Sequence, residues 1–143
     1  WITEQKPHRI VALFTLANDS IKTLHLDKTT RNRLNRPIDN PKRGRSYPAT
    51  LIGRIGVNQE FQGMNVGSQL MQFIKDWFRH EDNKTGCRFL VVDAYNNPRT
   101  LHFYERNDFR FLHTDEVEER AYYDIPCEET IATRLMYFDL KKA

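Results

Sequence analysis

The sequence predicts an α/β fold with parallel strands at its core, because strands and helices alternate over residues 50–112. Thr50–Val57 and Cys87–Val92 are short, mostly apolar runs rich in β-branched residues, as in strands covered on both faces. Between them, apolar residues recur every three or four positions over Val66–Arg79, which indicates an amphipathic helix. A second helix, followed by a strand at Phe109–Leu112, completes two crossover units.

A loop of small and polar residues, 62–68, joins the first strand to the long helix. The backbone N–H groups at a helix start have no partner within the helix, so such a loop can bind a phosphate or pyrophosphate. Neither Gly-Lys-Ser/Thr nor G-x-G-x-x-G is present, so a triphosphate-binding loop and the dinucleotide fingerprint are not indicated. Considered alone, a glycine-containing loop before a helix is more often an ordinary turn than a phosphate site.

The start of the second helix is marked by Asn97 and Pro98. Asparagine caps helices, and proline suits the first helical position, where a missing N–H costs nothing. Tyr104 lies on the apolar face of this helix. The helix is expected to end near Asn107 and Asp108, residue types that tolerate the left-handed conformation common at helix ends.

Together these segments resemble the GNAT acetyltransferase superfamily. Gln62–Gly67 is similar to its Gln/Arg-x-x-Gly-x-Gly/Ala loop, and Asn97–Phe109 to its second hallmark, an Asn followed by a Tyr-Glu helix and a Gly-Phe turn. Residues 47–54 further resemble the branch that contains tRNA-acetylating toxins. The resemblance implies an α+β, three-layer fold: a mixed, mostly antiparallel sheet with a central, splayed parallel pair at Leu51–Val57 and Phe89–Ala94.

The resemblance also implies acetyl-CoA as co-substrate and direct attack of a primary amine on its thioester. Tyr104 would protonate the departing thiolate, and Asn97 would bond the pantetheine arm. The strand edge (Ile55, Gly56 and Val57) would meet the pantetheine and the thioester carbonyl, and the loop would wrap the pyrophosphate with Gln62, Gly63, Met64, Asn65, Val66, Gly67 and Ser68. Such chemistry needs an N–H near the oxyanion and an acid near the sulfur.

The chain departs from the family pattern in its loop and in its base. Asn65 and Asp108 stand where glycine is usual, and asparagine can adopt positive φ at modest cost. The strand lacks the glutamate that some members use as base. Glu60 lies just beyond it but reads more simply as a surface charge, so an α-amine acceptor, with its lower pKa, is weakly favoured. Tyr104 has a purely structural alternative, a buried aromatic on a helix face.

Charge is uneven although the net charge is only +3. Residues 31–45 are basic and read as an irregular loop, either a tRNA-binding patch or a solvated linker. The basic side chains are Arg31, Arg33, Arg36, Lys42, Arg43 and Arg45. Residues 112–134 are acidic and could attract a cationic acceptor or simply favour solubility.

At the N-terminus, Trp1–Gln5 and Arg9–Leu16 alternate like the strands of a hairpin. Family members usually carry a further strand and one or two helices before it, so residues 1–143 are expected to form one acetyltransferase domain, truncated at its N-terminus. An exposed edge there would favour a homodimer. At the other end, Leu135–Leu140 is expected to pair with Phe109–Leu112. The helix aromatics Phe73, Trp77 and Phe78 are expected in the core.

Other classes are less well supported. Two separated cysteines suggest a reduced, cytoplasmic protein, and no run approaches the length of a membrane span. The five histidines show no metal-ligand spacing. Two alternatives stay open: a catalytically silent acyl-CoA-binding module, and a basic RNA-interacting protein. An antitoxin partner is a further expectation if the toxin branch is correct.

Overall fold

A computed structural model describes residues 1–39 and 46–141 of the chain. Within them, five strands form one sheet in the order β1-β2-β3-β5-β4, and four α-helices cover its two faces. The strands are β1 (Ala12–Lys22), β2 (Ser46–Val57), β3 (Phe89–Tyr95), β4 (Arg110–Phe111) and β5 (Thr133–Asp139). The helices are α1 (Lys28–Asn35), α2 (Val66–Arg79), α3 (Pro98–Arg106) and α4 (Glu116–Tyr122).

The sheet is mixed, and its parallel pair lies at the centre. β2 and β3 run parallel, whereas the β1–β2, β3–β5 and β4–β5 pairs are antiparallel. The parallel ladder joins Ala49–Leu51 to Phe89–Val91 and then stops, although both strands continue. The predicted splayed pair is therefore confirmed, as is the pairing of the last strand with residues 110–111. Most of Leu51–Val57 lies beyond the ladder, on the diverging arm of β2.

A β-bulge contributes to this divergence. The β1–β2 register passes from Thr15 opposite Arg54 to Leu16 opposite Ile52, so Gly53 is the extra residue. A Cβ atom at Gly53 would lie 3.1 Å from the Thr15 hydroxyl oxygen, so the strands approach closely there. A bulge bends its strand and increases the local twist, which turns the end of β2 away from β3.

Each face of the sheet has its own hydrophobic core. The first core lies under α2 and α3 and contains Leu70, Ile74, Val92 and Tyr104. The second lies under α1 and α4 and includes Leu34, Phe89, Val91 and Leu112. Alternate residues of β3 thus serve opposite cores, as the pleat of a strand requires. The result is the three-layer arrangement predicted from the sequence.

Helices α2 and α3 have the predicted starts, and α2 has the predicted end at Arg79. The core assignment of two α2 aromatics was wrong, since Phe73 and Trp77 are 44% and 52% exposed. They lie at the margin of the apolar stripe, where they contact Phe14 of β1. Phe78 is partly buried against the first core, as expected.

Two other expectations were wrong. The N-terminal hairpin is reduced to a single bridge between Ile2 and Ile10, because β1 starts at Ala12 and pairs with β2 instead. The basic stretch was expected to be irregular from residue 31, yet α1 runs to Asn35. Asp27 caps this helix by accepting the Thr30 N–H at 2.6 Å, and Leu34 anchors it. Lys42, Arg43 and Arg45 lie outside the described residues.

No helix in the described part of the chain combines the length and apolarity needed to cross a membrane.

Candidate active site

A crevice of about 1390 Å³ opens where β2 and β3 diverge. Its walls come from the ends of these two strands, the loop before α2 and the exposed side of α3. The volume exceeds the roughly 300–1,000 Å³ typical of small-molecule pockets. The crevice is therefore large enough for an elongated co-substrate together with part of a second reactant.

The β2 edge supplies backbone donors to this crevice. Beyond the end of the strand, the Asn58 N–H donates to the Val11 carbonyl oxygen at 2.9 Å, toward the β1 side. Backbone groups of successive strand residues point to alternate sides. The N–H groups of Val57 and Ile55 therefore point toward β3, which no longer pairs with this part of β2. These two N–H groups therefore have no hydrogen-bond partner in a neighbouring strand.

The loop before α2 has positive φ at two residues, a conformation that asparagine was expected to tolerate at position 65. Gly63 has φ 79° and Asn65 has φ 61°, so asparagine does occupy the left-handed region here. Asn65 is the N-cap residue of α2, but its side chain makes no capping hydrogen bond, and the first turn contains no acidic residue. The first N–H groups of α2 are thus left to the crevice, at the positive end of the helix dipole.

Two further contacts fix the loop. The Gln62 side-chain amide donates to the Val57 carbonyl oxygen at 3.0 Å, which ties the loop to the end of β2. Asn107 donates to the Ser68 hydroxyl at 3.2 Å and to the Phe103 carbonyl at 2.8 Å, which ties α2 to α3. A Cβ atom at Gly67 would lie 3.0 Å from the Phe103 ring. Glycine at this position therefore allows the close approach of the two helices.

Asn97 and Tyr104 lie on the α3 wall. The Asn97 side-chain oxygen accepts the Thr100 N–H at 2.9 Å, so the predicted cap is confirmed. Its side-chain amide nitrogen has no hydrogen-bond partner among the described residues. Tyr104 is 5% exposed and belongs to the crevice wall, and its hydroxyl makes no hydrogen bond to any described residue. Burial raises the pKa of Tyr104 to about 12, so the phenol keeps its proton at neutral pH.

Nearly all of the predicted site residues line this one crevice; the exception is Met64, which is 63% exposed and not part of its wall. Those in the wall are Ile55, Gly56, Val57, Gln62, Gly63, Asn65, Val66, Gly67, Ser68, Asn97 and Tyr104. Glu60 is absent from the wall and forms a surface ion pair with Arg9, which argues against its use as a base.

Sequence reasoning missed the charged side chains of the crevice. Arg99 and Arg106 of α3 line it, as does Arg54 of β2. Among the described wall residues Asp93 is the single carboxylate. A charge that interrupts the apolar run of β3 was visible in the sequence, but the face on which it lies depends on the strand register. That register is a property of the folded sheet.

Several carboxylates of the acidic segment after β4 have structural partners, whereas Asp124, Glu128 and Glu129 are exposed. Glu119 is fully buried and accepts hydrogen bonds from Arg134 and from the Leu135 N–H. Asp115 caps α4 by accepting the Glu118 N–H at 2.9 Å. Glu118 in turn accepts hydrogen bonds from the Thr114 N–H and the Thr30 hydroxyl. These acids hold α4 against the sheet.

Metal and thiol chemistry find no support in the described residues. No group of three or more His, Cys, Asp or Glu side chains there could hold a metal ion. Cys87 and Cys127 are both free thiols. Neither belongs to the crevice wall, so neither is placed to carry an acetyl group.

Comparison with known protein families identifies the family of this chain. Residues 34–109, slightly more than half of the chain, match the model of the Acetyltransferase (GNAT) family. The chain belongs to the GNAT acetyltransferase family. Members of this family transfer an acetyl group from acetyl-CoA, in agreement with the predicted co-substrate. Sequence comparison with curated proteins gave no significant match.

Solved structures share this GNAT fold at low sequence identity. AtaT complexed with acetyl-methionyl-tRNAfMet superposes with TM-score 0.66 at 15% identity, over 96% of this chain and 67% of that one. AtaTR bound with AcCoA gives 0.65 at 16%, over 98% and 67%. The KacTA–DNA complex gives 0.58 at 17%, over 98% and 65%. The present chain thus spans about two thirds of the length of these toxin structures, and the likeness establishes the fold.

Proposed function

We propose that this protein transfers the acetyl group of acetyl-CoA to a primary amine by direct attack, with no acetyl-enzyme intermediate. The observation that carries the proposal is the crevice between β2 and β3. It brings together unpaired strand N–H groups, an uncapped helix start and the buried hydroxyl of Tyr104. No thiol lies in its wall to act as a nucleophile.

The diphosphate of the co-substrate would bind at the start of α2. Backbone N–H groups of Val66, Gly67 and Ser68 face this position, and an anion there gains from the helix dipole. Arg99 and Arg106 of α3, which also line the crevice, add positive charge. The pantetheine arm would then follow the β2 edge, with the free amide nitrogen of Asn97 as a further donor.

The chemical step follows from the groups around the thioester. Attack by a neutral amine makes an oxyanion, which the Ile55 or Val57 N–H can stabilise. Collapse breaks the C–S bond while the Tyr104 hydroxyl donates to the sulfur. With a pKa of about 12, this phenol is a weaker acid than a thiol with its usual value of about 8.5. Proton transfer is therefore favourable only if the proton leaving the amine nitrogen replaces the one that Tyr104 gives up.

The acceptor class is a proposal of its own. An aminoacyl-tRNA is favoured over a small amine because one structural neighbour is a complex with acetyl-methionyl-tRNAfMet. The sequence also carries a cluster of basic residues between α1 and β2, part of which lies outside the described residues. An antitoxin partner belongs to the same proposal, since the AtaT Y144F mutant toxin has been solved bound to the C-terminus of the antitoxin AtaR. The homodimer stays a prediction from the sequence.

The proposal is tested by calorimetric titration with acetyl-CoA, followed by measurement of CoA release with three acceptors. These are spermidine, a tripeptide with a free α-amine, and methionyl-tRNA. We expect stoichiometric binding and acetylation of at least one acceptor, fastest with the tRNA. Binding without turnover on any of them would favour a silent acyl-CoA-binding module. Absence of acetyl-CoA binding together with salt-sensitive RNA binding would favour the RNA-interacting alternative.

A further inference from the structure

Asp93 and Tyr104 reach the crevice from opposite faces of the sheet. Phe89 and Val91 of β3 belong to the second core, whereas Leu90 and Val92 belong to the first. Because successive side chains of a strand point to opposite faces, Asp93 lies on the face of the second core, opposite the face that α3 and Tyr104 cover. Asp93 nevertheless lines the same crevice, because β2 has separated from β3 at this level.

The surroundings of Asp93 are acidic and leave its carboxylate without a cation. Within residues 1–39 and 46–141, Asp93 has no ion pair and no hydrogen bond from another side chain. Asp19 of β1, Glu119 of α4 and Tyr123 interact with it electrostatically. Arg54 shares this face of the sheet but forms no ion pair with Asp93. The neighbouring Glu119, by contrast, is neutralised by Arg134.

These surroundings change the proton affinity of the carboxylate. Solvent reaches Asp93 along the crevice, but loss of hydration is still the largest effect that raises its pKa, followed by repulsion from Asp19 and Glu119. A carboxylate with a raised pKa is a stronger base than an ordinary surface aspartate. An unpaired carboxylate in a negative environment also attracts a cation.

We propose that Asp93 binds the ammonium group of the acceptor and accepts the proton that this group must lose before attack. The inference rests on the proposed acetyl transfer. One proton passes from the ammonium nitrogen to the Asp93 carboxylate, and the neutral amine forms the N–C bond. The C–S bond then breaks, the second proton leaves the nitrogen, and CoA departs as the thiol. Asp93 returns its proton to solvent along the crevice.

If Asp93 binds the acceptor, the two reactants approach from opposite faces of the sheet. The acetyl-CoA thioester enters along α2 and α3, and the amine approaches from the face of α4, past Tyr95 and Thr133. The base is therefore not on β2, where the family resemblance suggested looking for a glutamate. The base lies on β3 instead. The parallel ladder ends at Val91, and Asp93 is the next residue of β3 on the face from which the acceptor would approach.

The test compares Asp93→Asn with the wild-type protein, using the most reactive amine of the three acceptors above. We expect kcat/KM for the amine to fall by about 100-fold, within the usual range for general bases. Activity of the variant should recover steeply as the pH rises toward the amine pKa, whereas the affinity for acetyl-CoA should stay within twofold. Asp93→Glu should restore part of the rate. The melting temperature of Asp93→Asn should equal or exceed that of the wild type, because an uncompensated charge is removed.

The outcomes separate the two proposals. A wild-type enzyme that acetylates amines, with Asp93→Asn equally active and its pH profile unchanged, would overturn the role of Asp93 and leave the acetyl transfer intact. A lower melting temperature together with weaker acetyl-CoA binding would also overturn it, since Asp93 would then be structural. A wild-type protein that neither binds acetyl-CoA nor acetylates any of the acceptors would overturn both.

Discussion

The two faces of the sheet are built in different ways. The face under α2 and α3 draws most of its residues from 52–109, where each loop and helix carries its own local signal in the sequence, and β1 and β5 add Ala12, Met136 and Phe138. The face under α1 and α4 is assembled from β1, β3 and the segment after β4, which are distant in the chain. Its charged side chains are held by long-range pairs such as Glu119 with Arg134. The first face can be recognised from motifs, whereas the second depends on tertiary structure.

If the faces are separable in this way, damage to the second should lower stability without weakening co-substrate binding. Glu119→Ala leaves the guanidinium of Arg134 without its main partner in a buried setting. We expect the free energy of unfolding to fall by about 3–5 kcal/mol, as when one member of a buried ion pair is removed. Urea denaturation gives this value. Glu128→Ala, at an exposed carboxylate of the same segment, is the matched control and should change little.

At low temperature, the Glu119→Ala protein that remains folded should bind acetyl-CoA like the wild type. A parallel loss of affinity would show that the two faces are coupled and that the comparison is wrong.

A substitution on the face under α2 and α3 should have the opposite effect, lowering activity without lowering stability. Tyr104→Phe removes the hydroxyl proposed to protonate the thiolate but keeps the ring contacts with Phe103 and Phe109. We expect kcat to fall by about 100-fold, with acetyl-CoA affinity and melting temperature nearly unchanged. Steady-state kinetics and calorimetry measure both quantities. Tyr137→Phe, in the second core, serves as the control and should keep full activity. Equal activity of the two variants would leave Tyr104 a packing residue.

A smaller effect is expected at the start of α2. Asn65→Asp adds a negative charge beside the diphosphate position while remaining compatible with positive φ. At roughly 8 Å and an effective dielectric constant of about 20, the repulsion is about 2 kcal/mol, so the dissociation constant for acetyl-CoA should rise at least 10-fold. The helix itself should not be destabilised, since an acidic cap favours the dipole. Asn65→Gly removes the side chain without adding charge and should bind normally.

The smallest predicted effect is a difference between Asp93 and Glu118 in how each carboxylate changes the stability of the fold with pH. The pKa of Asp93 is raised, so its ionised form opposes folding above the folded-state pKa. Above the folded-state pKa, Asp93→Asn should therefore be more stable than the wild type by the full amount. This advantage should vanish as the pH falls below about 3.8, the ordinary pKa of an aspartate. For Glu118, burial alone would raise the pKa, but hydrogen bonds from Thr114, His113 and Thr30 outweigh it and lower the pKa.

Glu118 therefore stabilises the fold above its ordinary pKa of 4.5, and this contribution is lost as the pH falls through the lowered folded-state value. Glu118→Gln should consequently be destabilised at neutral pH, opposite in sign to Asp93→Asn. Thermal melts of both variants between pH 3 and pH 7 measure the two differences. If both variants changed the stability in the same direction, the assignment of Glu118 to structure and of Asp93 to substrate would be contradicted.

The contrast between the faces also explains which parts of the fold the sequence could predict. The bounds of α2 and the start of α3 followed from apolar periodicity and from the Asn97–Pro98 start signal, all of which act within one or two turns. Helix α1 was missed because Lys28–Asn35 contains a single large apolar residue, Leu34, and is stabilised by contacts with the second core. Its cap at Asp27 was a usable local signal.

Sheet features were harder to predict than helices. The length of the parallel ladder depends on the bulge at Gly53, and the bulge depends on how Gly53 and its neighbours pair with Thr15 and Leu16, more than thirty residues earlier in the chain. The role proposed for Asp93 depends in turn on that ladder. The failed N-terminal hairpin has the same cause, since alternation in Arg9–Leu16 did not reveal that β2 would be its partner.

The gap between β2 and β3 has a kinetic consequence. Residues from both faces of the sheet line it, so under the proposed placement the two reactants would enter from different faces and neither would block the other. Coenzyme A should then compete with acetyl-CoA while leaving the amine free to exchange. The acetylated product should be able to dissociate before or after the thiol, in random order.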